Sequence, residues 1–187
     1  TDVWHTDVTF KKNPPFASML YSQTIPPVGG DTLWSCLTSI YEALPNDIQI
    51  YLEKLNAVHD MGDFRNTFTK NEPLGEAAKL NKGFNEFGSS IHPIIKVHPI
   101  TKKKLLYINP GFTNHIVGLN ASDSQNLLSY LFNLMNKPEF QVRFKWTENT
   151  IAIWDNRCTM HYALSDYMPY ERKMHRVTIL NDKREKL

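Results

Sequence analysis

Three side chains stand out for the chemistry they can share. The stretch "VWHTDVTF", residues 3 to 10, places His5 and Asp7 two apart among apolar and β-branched neighbours. It reads as a strand, and residues i and i+2 of a strand project from one face. Imidazole and carboxylate therefore reach a single cation. Far downstream, "WDNRCTMHYALSDYMPYERKMHR", residues 154 to 176, supplies His161 after a buried-looking run, then Arg172 and Arg176. Two histidines and one carboxylate, with other coordination positions left open, form the facial triad that holds Fe(II) in non-haem oxygenases. Ligand type alone does not fix the metal, so a hydrolytic zinc centre on the same triad stays open.

The arginines bear on that choice. If an α-keto acid supplies electrons for O2 reduction, its far carboxylate needs a fixed partner. The planar fork of arginine holds a carboxylate in two parallel hydrogen bonds and keeps its charge near a cation. In a strand, residues four apart share a face, so Arg172 and Arg176 can grip two different anions.

The elements that must position these groups follow from periodicity and punctuation. Residues 16 to 26 read as a strand rich in β-formers that ends at prolines. A Gly-Gly turn within 27 to 34 leads into Thr32 and Trp34. Residues 35 to 55 carry helical spacing broken by Pro45, which predicts two short helices. Residues 60 to 90 are polar and aperiodic, and we expect a lid-like loop there. Two strands joined by a polar turn are predicted over 91 to 112. A helix is predicted over 121 to 140, with Ser122 and Gln125 as a capping box and Leu127, Leu128, Leu131, Phe132 and Met135 as its apolar face. A hairpin is predicted over 141 to 156 and a last strand over 174 to 180. Many strands and few helices point to a mainly β fold with flanking helices, a sandwich or jelly roll.

With 187 residues, 41% of them hydrophobic, the chain has enough material for a single domain with a substantial core. The formal net charge of +2 gives no electrostatic case for nucleic acid or an anionic membrane. The run Lys102-Lys103-Lys104 is read as a solvated turn. No apolar stretch approaches the roughly 20 residues needed to span a bilayer. Cys36 and Cys158 form no disulfide framework, which fits a reducing cytoplasm. Cys158 lies three before His161, but no second Cys/His pair matches it, so structural zinc is not expected. Asn120-Ala121-Ser122 is a formal glycosylation sequon that we read as a helix start. A strand-like motif begins almost at once, and we expect an upstream segment to be missing.

The combination resembles the taurine/2-oxoglutarate dioxygenase family, most closely its fungal sulfonate dioxygenases. The resemblance runs through "WHTDVTF", "VGGDTLW", "HPITKKKLLYINPGFT", "KPEFQVRFKW" and "IAIWDNRCTMHYALSDYMPYERKMHRVTIL". It leaves out mainly the stretch at about 60 to 90. The pattern is an early HxD, a distal histidine roughly 150 residues on, and an arginine eleven beyond it. The resemblance implies a double-stranded β-helix, a cupin-like jelly roll with the metal at its open end. It implies His5, Asp7 and His161 as ligands of Fe(II), with 2-oxoglutarate and O2 as co-substrates. It gives Thr32 and Arg172 to the far carboxylate of 2-oxoglutarate. Arg176 and the backbone of Val8 go to the sulfonate, and Phe10, Phe112 and Phe68 to the pocket wall. The implied reaction hydroxylates the carbon next to sulfur and releases sulfite and an aldehyde. The implied partner is a small anionic substrate, and family members are often homo-oligomers. Family members carry a further substrate-gripping segment upstream of the HxD motif. A sulfate ester or a phenoxyacetate-type carboxylate fits Arg176 equally. A non-catalytic jelly-roll module is opposed by the presence of all three ligands and both arginines.

Overall fold

The computed structural model describes residues 2–61 and 88–180. The expected pocket residue Phe68 and most of the expected loop over 60 to 90 lie outside them. Among the described residues, eleven strands and three α-helices form a mainly β architecture. In one sheet, β1 (Ala17–Thr24) runs between β9 (Ile151–Asp155) and β11 (Lys173–Ile179), antiparallel to both. In another, β2 (Thr32–Cys36) runs between β8 (Gln141–Phe144) and β10 (Thr159–Ala163), again antiparallel. A third sheet orders β4 (Ser89–Pro93), β3 (Asn56–Asp60) and β7 (Thr113–Ile116). A hairpin of β5 (Ile95–Val97) and β6 (Lys104–Leu106) turns through the exposed lysines as expected. The chain switches sheet between β1 and β2, between β8 and β9, and between β9 and β10. That alternation is the winding of a jelly roll.

The predicted hairpin over 141 to 156 is therefore corrected. Its two strands exist but go to different sheets, β8 to β2 and β9 to β1. A strand–turn–strand pattern looks the same whether two strands pair with each other or split. The six-residue connection is held instead by long-range contacts. Asn149, in the left-handed region at φ 60°, donates its N–H to Ser22 O, and Trp146 Nε1 donates to Thr32 Oγ1.

The helices form where periodicity placed them, except that the third, expected over 121 to 140, stops at Met135 ahead of Pro138. Pro45 separates α1 (Leu37–Glu42) from α2 (Asn46–Leu52). The long α3 (Ala121–Met135) is capped by Asn120, not Ser122: Asn120 Oδ1 accepts from Asp123 N, and Asn120 Nδ2 donates to Asp123 Oδ2. The cap lies two residues before the expected box and satisfies one orphan N–H, that of Asp123. Leu128, Leu131 and Met135 of α3 pack with Leu37 and Ile40 of α1 and Leu105 and Leu106 of β6 in the main apolar core. Truncating one of these leucines to alanine costs about 2–5 kcal/mol.

The strand expected at residues 3 to 10 is a second correction. Only His5 pairs, in an isolated antiparallel bridge with His161 at the free edge of β10. Residues 7 to 10 turn away, with Val8 at φ 60°. Asp7 therefore reaches the side of His5 without strand alternation.

Candidate active site

The site is assembled from both ends of the chain. His5 N–H donates to His161 O at 3.0 Å, and His161 N–H donates to His5 O at 2.8 Å. These two bonds bring the rings to a centroid separation of 4.1 Å. Asp7 is set by Asn156, in the turn between β9 and β10. Asn156 Oδ1 accepts from Asp7 N at 2.9 Å, and its Nδ2 donates to Asp7 O and to Pro15 O, both at 3.0 Å. This two-way amide clasp does for Asp7 what a strand neighbour would otherwise do.

His5 Nε2 lies 3.6 Å and His161 Nε2 3.7 Å from Asp7 Oδ1. All three ligand atoms fall within 4.8 Å of one another, and all three residues are buried. His5 Nδ1 faces the Val3 carbonyl at 2.8 Å; a carbonyl only accepts, so Nδ1 carries the hydrogen and Nε2 keeps its lone pair. Burial lowers the His5 pKa, and burial followed by the neighbouring His5 pushes that of His161 down to about 3. Burial opposes the charge on Asp7. His161, the Ser18 hydroxyl, His5 and Arg176 outweigh it and hold the carboxyl below its ordinary value. Two neutral imidazoles and one carboxylate are the protonation states a divalent cation needs. The donor set thus fits a first-row divalent metal with positions to spare.

Around the triad stand the residues expected to bind anions. Arg176, on β11, places Nη1 3.6 Å from Asp7 Oδ1 while its side chain stays 55% exposed. Arg172 precedes β11 and is held from the opposite side of the roll. Its Nε donates to Gly30 O at 3.0 Å, and its Nη2 is buried with no hydrogen-bond partner among the described residues. The Gly29-Gly30 turn is shaped for this contact. Gly30 N donates to Asp166 Oδ1 at 2.8 Å, and both glycines have φ above 70°. A Cβ on Gly29 would lie 2.7 Å from Asp166 O, and one on Gly30 would lie 3.0 Å from Arg172 Cδ. Thr32 opens β2 and is buried; because Trp146 Nε1 can only donate, Thr32 Oγ1 accepts from it and keeps its own O–H to give.

The expected wall residues also converge. Phe10 and Phe112 meet edge to face at 5.2 Å, Phe112 lies 6.0 Å from His5, and Val8 packs against the same small cluster. Gly111 N donates to Trp4 O, and Asn109 Oδ1 accepts from Phe112 N. The 8-to-11 turn is anchored by two buried histidines. His59 Nδ1 lies 2.9 Å from Thr9 Oγ1, and His92 Nε2 lies 2.8 Å from Thr9 O. Val8, β-branched and at φ 60°, stores backbone strain at the edge of the site.

Several residues of the site were not singled out from the sequence. They are Ser18, Asn156, Asp166, the pair His59 and His92, and an aromatic floor. In that floor Trp34 lies 5.5 Å from Trp154, which lies 5.0 Å from His161. None has a local signal, because each acts across a long stretch of chain. Cys158 belongs to a second cluster with His98 and Asp155. There Arg157 grips both oxygens of Asp155, and His98 Nε2 lies 3.1 Å from Asp155 Oδ2. His98 Nδ1 accepts from Ile100 N and Thr101 N, so Nε2 bears the hydrogen. Burial, with Asp155 behind it, pushes the Cys158 thiol up to about 12. The cluster is a structural ion pair, and no zinc is needed to explain it.

Comparison with known proteins gives the same direction. A family model described as "Taurine catabolism dioxygenase TauD, TfdA family" matches residues 1–178. An alpha-ketoglutarate-dependent sulfate ester dioxygenase of Pseudomonas putida is 37% identical over 96% of this chain and 60% of its own length. An alpha-ketoglutarate-dependent sulfonate dioxygenase of Saccharomyces cerevisiae is 32% identical over 94% of this chain and 41% of its own. Among solved structures, a taurine dioxygenase from Burkholderia xenovorans superposes with a TM-score of 0.79 at 37% identity, over 96% of this chain and 57% of that one. The chain thus spans about two fifths to three fifths of the length of these relatives. No helix among the described residues is long and apolar enough to cross a membrane.

Proposed function

The chain belongs to the taurine catabolism dioxygenase TauD, TfdA family, and from that premise we propose that it carries the centre of an Fe(II)- and 2-oxoglutarate-dependent dioxygenase acting on an alkyl sulfonate. The observation that carries the reading is the buried set His5, Asp7 and His161 with two separately held arginines beside it. His5 and His161 through Nε2, and Asp7 through Oδ1, would hold the metal. When bound, Fe(II) supplies the O2 chemistry that turns 2-oxoglutarate into succinate and CO2 and hydroxylates the substrate carbon next to sulfur; the product breaks down to sulfite and an aldehyde.

The protein's own part is binding, orientation and exclusion of water. Arg172 receives the far carboxylate of 2-oxoglutarate, since its buried Nη2 needs an acceptor and burial strengthens a charge-assisted bond. Thr32 donates its free O–H to the same carboxylate. Arg176, close to Asp7 yet open to solvent, receives the sulfonate together with the backbone of Val8. Phe10 and Phe112 close the apolar side, which limits water at a centre that generates an oxidant. Phe68 stays a proposed third wall residue. The partner is a small organic anion, and the free thiols Cys36 and Cys158 fit a cytoplasmic setting. The likeness to the sulfate ester dioxygenase keeps that ester as the second substrate class to test.

The test is anaerobic absorption spectroscopy with Fe(II) and 2-oxoglutarate, followed by succinate release on sulfonates, sulfate esters and phenoxyacetates. A weak visible band that needs both additions, then succinate release with sulfonates, is the expected result. Metal binding without the band overturns the 2-oxoglutarate reading.

A further inference from the structure

Ser18 determines what Asp7 has to offer. It sits near the start of β1, between Trp154 on β9 and Thr178 on β11, and is 0% exposed. A hydroxyl held away from water in a sheet interior is costly unless it is hydrogen-bonded. Its partner is Asp7 Oδ2, to which Ser18 Oγ donates at 2.5 Å. The other oxygen, Oδ1, faces His5 Nε2, His161 Nε2 and Arg176 Nη1 at 3.6, 3.7 and 3.6 Å. The two oxygens of one carboxylate therefore have separate environments. Asn156 clasps the backbone of Asp7 from both sides, so the residue cannot shift as a unit. Only side-chain rotation could bring Oδ2 toward the histidines, and that rotation breaks the Ser18 bond.

We propose that Ser18 is a positioning residue that fixes Asp7 as a one-oxygen ligand and so keeps a coordination position open for the keto-acid end of the co-substrate. The inference rests on the functional reading above. A carboxylate with both oxygens uncommitted binds a divalent cation through one or both. Two-oxygen binding by Asp7 takes the position a chelating keto acid requires. Ser18 thus affects co-substrate binding more than metal binding, the reverse of an ordinary ligand-orienting contact.

The experiment measures two constants in the full chain for wild type, Ser18→Ala, Ser18→Cys and Ser22→Ala. One is the dissociation constant for Mn(II), from its EPR signal. The other is that for 2-oxoglutarate on the anaerobic Fe(II)-loaded protein, from its visible band. Ser22 is the control, because it is equally buried on the same strand but donates to Thr147 O at 2.6 Å. In Ser18→Ala, Mn(II) affinity stays within about threefold while 2-oxoglutarate binds at least tenfold more weakly. Ser18→Cys, a similar shape with a weak donor, falls between, and Ser22→Ala moves neither constant. A metal affinity lowered 10–100-fold, as for an ordinary outer contact, with unchanged 2-oxoglutarate binding at saturating metal, overturns the proposal. So do two unchanged constants. If Ser18→Ala does not fold, Ser18→Cys decides on the same two readouts. A wild type that binds Fe(II) without the band overturns the functional reading and this inference with it; a wild-type band with unmoved variants overturns this inference alone.

Discussion

Replacing Gly30 by alanine separates two costs that the structure predicts independently. The first is conformational. Gly30 sits at φ 72°, where a residue with a Cβ loses roughly 1–2 kcal/mol. The second is steric. The new Cβ would stand 3.0 Å from Arg172 Cδ, 3.1 Å from Pro26 Cγ and 3.2 Å from Arg172 Nε. The proline ring cannot give way, so the arginine must, and the 3.0 Å bond from its Nε to Gly30 O is lost. A guanidinium that no longer faces its anion squarely loses a hydrogen bond to a charged group, about 1.5–3 kcal/mol. That raises the KM for 2-oxoglutarate by about 10- to 100-fold, with the sulfonate KM little changed. Gly118→Ala is the matched control: φ is 84° and nothing lies within 4 Å of the built Cβ. It pays the conformational cost alone. Urea unfolding should show a loss of about 1–2 kcal/mol for Gly118→Ala and a larger one for Gly30→Ala, which also loses the Arg172 bond, while succinate-release kinetics should single out Gly30→Ala. A 2-oxoglutarate KM within twofold of wild type, in a Gly30→Ala protein destabilised no more than Gly118→Ala, refutes the claim that this turn sets Arg172.

Three further outcomes follow from the same geometry. Arg172→Ala should raise the KM for 2-oxoglutarate far more than that for the sulfonate, and Arg176→Ala should do the opposite; equal effects on one ligand would show the two arginines misassigned. Asn156→Ala strips partners from the Asp7 N–H, the Asp7 carbonyl and the Pro15 carbonyl. Calorimetry should find stability lower by about 3–5 kcal/mol and metal affinity down at least tenfold; unchanged metal binding would mean Asp7 is fixed some other way. The third outcome concerns pH. Burial, then His92 and Lys96, pushes the His59 pKa down to about 3 from an ordinary 6.5. The unfolded chain therefore takes up a proton that the folded one refuses, so this contribution is intact above pH 6.5 and lost as pH falls toward 3. The loss by pH 5 is about 2 kcal/mol. His59→Gln should make the fall in stability between pH 6 and pH 4 shallower by about 1.4 kcal/mol per pH unit, and an unaltered slope would show that His59 charges freely in the folded state.

The amino-acid sequence alone determined the donor types and much of the local structure. His5, Asp7 and His161 are legible because few other tasks call for that combination with two arginines behind it, and the whole pattern resembles one family. The helix over residues 121 to 135 and the break at Pro45 are legible because they rest on 3.6-residue periodicity and a missing N–H. Tertiary structure decided how those pieces are used. The strand–turn–strand pattern of residues 141 to 156 records two strands but not their partners, so an expected hairpin became two strands in different sheets. The i, i+2 logic of a strand put His5 and Asp7 on one face, yet Asp7 is placed by Asn156, 149 positions away. Ser18, Trp154 and Asp166 show the same thing. A serine in a strand, a tryptophan in an apolar run and an aspartate in a polar loop carry no local mark of function, because hydrogen bonds and ring contacts act through space. Local periodicity reports which face of an element is buried; what that face meets is fixed only when the two sheets close on each other.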